Sequence, residues 1–226
     1  MINYSDVIGR LIAYRNKLGK TQKQLGELLN ICQEQYSNLE NENTIISDDN
    51  LSLLRENGCD INFLLTGKNS RYDSRDLDDV LDDISDQAAK DFLLKQLADY
   101  LVYNICKINK YKMVRGKDIQ LLEALTKSWD DFSMIRFVYN SLGISQTEMA
   151  QKLGIGIKKC RKLEYYQAYP DAELIVMLYD ISGCSPILFT NINNRKELII
   201  RAVWKSLRSK EREKAMEYIT TLKRFI

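Results

Sequence analysis

The chain contains no histidine in its 226 residues, so neither a general base nor a metal ligand can be an imidazole. The five cysteines, Cys32, Cys59, Cys106, Cys160 and Cys184, are isolated, odd in number and without C-x-x-C spacing. That pattern suggests neither a zinc site nor a disulfide framework, and reduced thiols in a cytoplasm are the expectation. Only two prolines occur, Pro170 and Pro186, glycine is sparse, and no useful length of apolar–polar alternation appears. An all-α chain is therefore expected. No apolar run approaches the roughly 18 residues a membrane span needs. The first residues, MINYSDVIGR, do not read as a signal peptide. No nucleophile motif and no paired-carboxylate pocket are visible, so no enzyme and no cofactor are expected.

A basic excess is also missing. The net charge is +2, from 33 Lys+Arg against 31 Asp+Glu. Its distribution is uneven. Residues 1–67 carry 6 basic and 9 acidic side chains, and residues 191–226 carry 10 and 4. Residues 68–129 hold 11 of each, and residues 130–190 hold 6 against 7. A nucleic-acid surface, if there is one, must come from local placement.

What is present centres on Thr21 to Glu42. Leu25, Leu28, Leu29, Ile31, Tyr36 and Leu39 follow helical spacing, broken once near Asn30-Ile31. Two short helices joined by a tight turn are expected. Thr21 is the N-cap of the first, Asn30 takes the left-handed position at its end, and Cys32 is the N-cap of the second. Gly26 lets the two helices approach closely. Gln33, Glu34, Gln35, Ser37 and Asn38 face water, and such side chains can read base edges.

The pattern recurs 124 positions later, over Ser145 to Tyr165. That offset pairs Gln22 with Gln146, Leu25 with Met149, Gly26 with Ala150, Leu29 with Leu153, Leu39 with Leu163 and Glu40 with Glu164. It also pairs Gly19 with Gly143 and Thr66 with Thr190. Agreement at so many core positions implies an internal duplication.

Both stretches resemble the helix-turn-helix domain of the lambdoid phage repressors and Cro proteins, the xenobiotic-response-element-like regulators. The first copy resembles it from Val7 to Gly67 and closes on DINFLLTG, Asp60 to Gly67. The resemblance implies that Arg15 and Glu40 form a buried ion pair and that Gln22 and Gln33 contact DNA. The second copy departs at two places. Tyr139 stands where the arginine would, which leaves Glu164 without that partner, and Ile157 replaces the second glutamine.

Expected organisation is two tandem five-helix repressor-like helix-turn-helix domains, each followed by a helical tail. The domains are residues 1–67 and 130–190, with a helical linker or dimerisation segment over 68–129 and a C-terminal helical tail over 191–226. Ser5 or Asp6 would cap the first helix, with Ile8, Leu11 and Ile12 inward. Ser47 would start the fourth helix, with Leu51, Leu53 and Leu54 inward, and Asp60 the fifth. Lys68 to Arg75 reads as a polar linker, and Asp76 to Asp86 as an acidic, solvated helix face. Leu94, Leu97, Leu101, Ile105 and Ile108 form a heptad-like stripe. The stripe either packs within the chain or makes the seam of a homodimer. Lys107, Lys110, Tyr111, Lys112, Arg115 and Lys117 form a basic connector, either a solvated loop or a phosphate track. Asp118 would cap the next helix. Phe132, Ile135 and Val138 face inward in the second copy, and Ser209 would cap the last helix.

The expected function is sequence-specific binding of double-stranded DNA by a transcriptional regulator. Thr21, Gln22 and Lys23, and likewise Ser145 and Gln146, would meet phosphates at helix N-termini. Gln33, Glu34, Ser37 and Asn38 would read base edges. Lys158, Lys159, Arg161 and Lys162 put four cations in five positions of the second recognition helix, suited to phosphate or guanine. The alternative is a protein-interaction scaffold, an antitoxin-like binder of a partner protein. It draws on the negative charge of residues 1–67.

Overall fold

The computed structural model of the chain describes residues 2–69, 77, 81, 84–107 and 116–225, with residues 105–107 described by backbone alone. Every regular element among these residues is helical. The chain divides into two compact units. Unit 1 combines residues 1–70 with 133–193, and unit 2 combines 71–132 with 194–226.

In unit 1 the first half contributes α1 (Tyr4–Lys17), α2 (Gln22–Leu28), α3 (Gln33–Glu40), α4 (Asp48–Glu56) and α5 (Ile61–Thr66). Helix α1 buries Val7, Ile8 and Leu11, while Ile12 is half-buried. Its N-cap is Asn3, whose Oδ1 accepts from Ser5 N at 3.2 Å, and not Ser5 or Asp6. The earlier start makes Tyr4 helical, and the Tyr4 hydroxyl accepts from Ile46 N at 2.9 Å. Ser47 and Asp60 cap α4 and α5 through their side-chain oxygens. Leu51 and Leu54 are buried in α4, and Leu53 is half-buried.

The second half contributes α8 (Met134–Ser141), α9 (Gln146–Lys152), α10 (Ile157–Glu164), α11 (Ala172–Ser182) and a 3-10 turn, Pro186–Phe189. The bounds of α9 and α10 fall 124 residues after those of α2 and α3 at both ends. The left-handed positions follow the same offset: Gly19 and Gly143, Asn30 and Gly154, Glu42 and Tyr166. The fifth element of this half is the short 3-10 turn. Pro186 suits its first position, and the Ile187 N–H leaves the turn to bond Asn62 Oδ1 at 3.0 Å.

The two halves of unit 1 meet through corresponding surfaces. Helix α5 packs on the 3-10 turn, its counterpart by the 124-residue offset, and on α11. Asn62, 4% exposed, accepts from Ile187 N and from Ser185 Oγ at 2.9 Å. The Ala172 N–H bonds the Ile46 carbonyl at 3.0 Å, and Lys68 Nζ lies 2.9 Å from the Tyr179 hydroxyl.

Unit 2 holds α6 (Gln87–Lys107), α7 (Gly116–Lys127), α12 (Arg195–Lys205) and α13 (Ser209–Lys223). Helix α6 packs on α7, α12 and α13, and Tyr100 stacks on Tyr218 with ring centroids 4.5 Å apart. Leu94, Leu97 and Leu101 are buried within the chain, so at these described positions the heptad-like stripe serves internal packing. Ile105 and Ile108 lie outside the described side chains. Helix α7 starts at Gly116, which places Asp118 in its first turn and not at its cap. Helix α13 starts at Ser209 itself, because the Glu211 carboxylate reaches back to accept from Arg208 N at 3.2 Å and does the capping. Glu197 is held by Arg201 at 2.6 Å and Lys90 at 3.5 Å, in contact with α6. Asp91 joins Lys196 at 3.0 Å and Trp129 Nε1 at 2.7 Å. Leu77 and Leu81 are buried. The rest of the polar linker over 70–75, positions 76, 78–80, 82 and 83 of the acidic stretch, and the connector side chains Lys107, Lys110, Tyr111, Lys112 and Arg115 lie outside the described residues.

Candidate nucleic-acid interface

Helices α2 and α3 pack at unusually short range. A Cβ on Gly26 would sit 3.0 Å from the Ile31 carbonyl oxygen and 3.3 Å from Tyr36 Cβ. Asn30 makes the turn with φ +56°, the left-handed conformation its short polar side chain tolerates. At the start of α2, Gln24 N donates to Thr21 Oγ1 at 3.2 Å, and Thr21 N donates to Gln24 Oε1 at 2.9 Å. At the start of α3, Cys32 N donates to Gln35 Oε1 at 3.0 Å, so Gln35 is engaged in capping.

This tight pair leaves one edge of α3 open. Gln33 and Glu34 are exposed. Ser37 and Asn38 are half-buried, and each accepts a side-chain bond, from Asn41 at 3.3 Å and from Asn43 at 3.4 Å. Lys23 is exposed beside the α2 N-terminus. The sequence-predicted residues Thr21, Gln22, Lys23, Gln33, Glu34, Ser37 and Asn38 thus all come from α2, α3 and the α2 cap.

A part-buried charge network holds the two helices in register. Glu40 accepts from Arg15 Nε at 2.6 Å and from Gln22 Nε2 at 2.7 Å. Arg15 also donates Nη1 to the Lys20 carbonyl at 3.0 Å. Burial pushes the Glu40 carboxyl upward, but hydrogen bonds from Arg15 and Gln22 outweigh it and hold the pKa below its ordinary value. The hydrogen bond to Glu40 raises the Arg15 pKa. Burial, with the Glu40 charge, raises that of Tyr36. Gln22 therefore spends its amide N–H on Glu40 and keeps its carbonyl oxygen for another partner.

The second half repeats the network with one substitution: Tyr139 stands at the place of Arg15, and the cation comes from Arg136 instead. Arg136 Nε donates to Glu164 Oε1 at 2.9 Å, and the Tyr139 hydroxyl donates to the same oxygen at 3.2 Å. Arg136 stands three residues before Tyr139 in α8, one turn away on the same face. Gln146 Nε2 donates to Glu164 Oε2, and Arg161 Nε donates to Gln146 Oε1 at 3.2 Å. The N-terminus of α9 carries an acid of its own. Glu148 Oε2 accepts from Ser145 N at 2.7 Å and from Ser145 Oγ at 2.8 Å. Those bonds hold the Glu148 carboxyl below its ordinary pKa.

Helix α10 exposes Lys158, Lys159, Arg161 and Lys162 while burying Cys160 and Leu163. Lys159 pairs with Asp171 at 3.8 Å, a half-exposed contact. Sequence reasoning missed Arg136, and it placed Glu148 in the first turn after Ser145 without its bonds to that cap. The signal for Glu148 was its place three residues after Ser145, the capping-box spacing.

Among the described residues no helix is long and apolar enough to cross a membrane. A family model described as Helix-turn-helix matches residues 11–56. No curated protein and no solved structure matches the chain. Residues 11–56, which contain α2, α3 and the Arg15–Glu40–Gln22 network, are thus similar to the Helix-turn-helix family of DNA-binding domains.

Proposed function

We propose that the chain is a sequence-specific DNA-binding transcriptional regulator in which two helix-turn-helix segments, residues 1–67 and 130–190, act as an intrachain pair. The reading rests on one observation above the others: the segment matched to the Helix-turn-helix family leaves the first turn of its third helix uncovered, with Gln33 and Glu34 exposed. Helix α3 enters the major groove, where a Gln can bond adenine N6 and N7 with about 1–3 kcal/mol of discrimination. Thr21, Lys23 and the carbonyl of Gln22 lie at the flank of that groove, and Ser37 and Asn38 add edge contacts.

The 124-residue offset in helix bounds and in left-handed positions supports the tandem reading. The contact of α5 with its counterpart supports the pairing of the two segments inside one chain. Segments related by an approximate two-fold can place recognition helices one helical turn apart, roughly 34–36 Å. Here the two helices differ, α3 being neutral-to-acidic at its exposed edge and α10 basic. The operator is therefore two-part and need not be palindromic, and one chain fills it without a homodimer.

Selection from random duplexes tests the reading. A two-part consensus, with discrimination in one part flattened by Gln33→Ala, is the expected result. Retention of every duplex alike, or of none, would remove it.

A further inference from the structure

We propose that Gln146 is a positioning residue that aims Arg161 at the O6/N7 edge of a guanine, so that the half of the operator under α10 is read through that base. The inference rests on the DNA-binding reading and deepens it.

Gln146 is held at both ends by charge. Its Nε2 donates to the carboxylate of Glu164, which is 3% exposed and is itself gripped by Arg136 and Tyr139. Its Oε1 accepts from Arg161 Nε at 3.2 Å. A flipped amide would set its oxygen against a carboxylate and its N–H group against a guanidinium, so only the observed orientation satisfies both neighbours. The guanidinium of Arg161 is thereby fixed in direction through its Nε edge. Its two terminal nitrogens remain as the planar fork that matches guanine O6 and N7.

Phosphate is the weaker match for this side chain. A phosphate accepts a point charge from any direction, and exposed Lys158 and Lys162 on the same helix supply such charges. The adjacent N-terminus of α9 already holds the carboxylate of Glu148, which disfavours a second anion there. Arg161 is also the only one of the four α10 cations held by a neutral amide among the described residues. In the first half, Ser37 stands at the place of Arg161 and Gln22 presents its carbonyl oxygen directly, so the two halves of the operator are read by different chemistry.

The test uses the full chain and the duplex it selects. Guanine N7 methylation interference locates the base, and 7-deazaguanine at that position removes N7 alone. The intact chain should lose about tenfold or more in affinity on the 7-deaza duplex. Arg161→Ala, which removes the donor fork and leaves the partners of Glu164 in place, should bind both duplexes equally. Gln146→Leu should reduce the 7-deaza penalty in the same way. A selected duplex with no guanine whose interference depends on Arg161 overturns the inference while leaving DNA binding intact. So does a 7-deaza penalty that survives Arg161→Ala. A phosphate role would appear as no 7-deaza penalty and a salt slope lowered by about 1 in Arg161→Ala. Failure of the intact chain to retain any duplex overturns both this inference and the reading beneath it.

Discussion

Removing one partner of the Arg15–Glu40 pair should unfold unit 1 far more readily than removing both. Glu40 is 6% exposed at its side chain and Arg15 16%, so each charge left alone is largely cut off from water. Arg15→Met leaves the Glu40 carboxylate with neutral donors alone, Gln22 and the neighbouring Tyr36 hydroxyl, and Glu40→Leu leaves the guanidinium with the Lys20 carbonyl. Breaking a buried pair in this way costs about 3–5 kcal/mol. Replacing both members by apolar side chains of similar size is often neutral or stabilising. The double variant should therefore cost less than either single change. With a urea slope of roughly 2 kcal/mol per molar, each single variant should lower the unfolding midpoint by about 1.5–2.5 M. The assay is urea unfolding followed by far-UV circular dichroism, which sees the helices of both units. Tryptophan fluorescence is the wrong probe, because Trp129 and Trp204 both belong to unit 2. Additive losses in the double variant, or single losses below about 1 kcal/mol, would refute the view that this pair is a coupled buried unit.

Other expectations follow from the same geometry. Arg136→Ala should destabilise unit 1 by about 2–3 kcal/mol by leaving Glu164 without its cation, and Tyr139→Arg in that background should restore most of the loss in urea unfolding. Asn62→Ala should cost about 1–3 kcal/mol, since the Ile187 N–H loses its acceptor; unchanged stability would mean that the contact between the two halves contributes nothing. Because the Glu40 carboxyl is held below its ordinary pKa of 4.5, its contribution is complete above that pH and fades as the pH falls through the lower folded-state value. Unfolding midpoints of the intact chain should drop in that acid range more steeply than those of Glu40→Leu. Neutralising Lys158 and Lys162 together should lower the slope of log K against log salt by about 2 for the selected duplex.

Much of this organisation was legible in the residues. The all-α class followed from scarce glycine and proline, and the second helix pair followed from a fixed offset that helix bounds now repeat. The N-caps Thr21, Ser47, Asp60 and Ser145 were readable because capping is a local rule. Errors arose where local rules compete or where distance in sequence hides a contact. Asn3 displaced Ser5 and Asp6 because starting the helix there brings Tyr4 to Ile46, a partner 42 residues away. Arg136 was overlooked because correspondence was sought at Tyr139 alone, whereas any cation one turn away on the same face can reach Glu164. The grouping of residues 71–132 with 194–226 rests on pairings such as Tyr100 with Tyr218, which no periodicity announces. Of the candidate site, the sequence could nominate residues, but not show how they are engaged. That Gln22 and Gln146 each donate to a buried glutamate, and that Arg161 bonds the second of them, needed coordinates.

The stoichiometry of the complex on a selected duplex bears most directly on the pairing of two recognition helices in one chain. Analytical ultracentrifugation at saturation should find one chain per duplex, with hydroxyl-radical protection in two patches about one helical turn apart. Two chains per duplex, with each chain protecting a single patch, would contradict it.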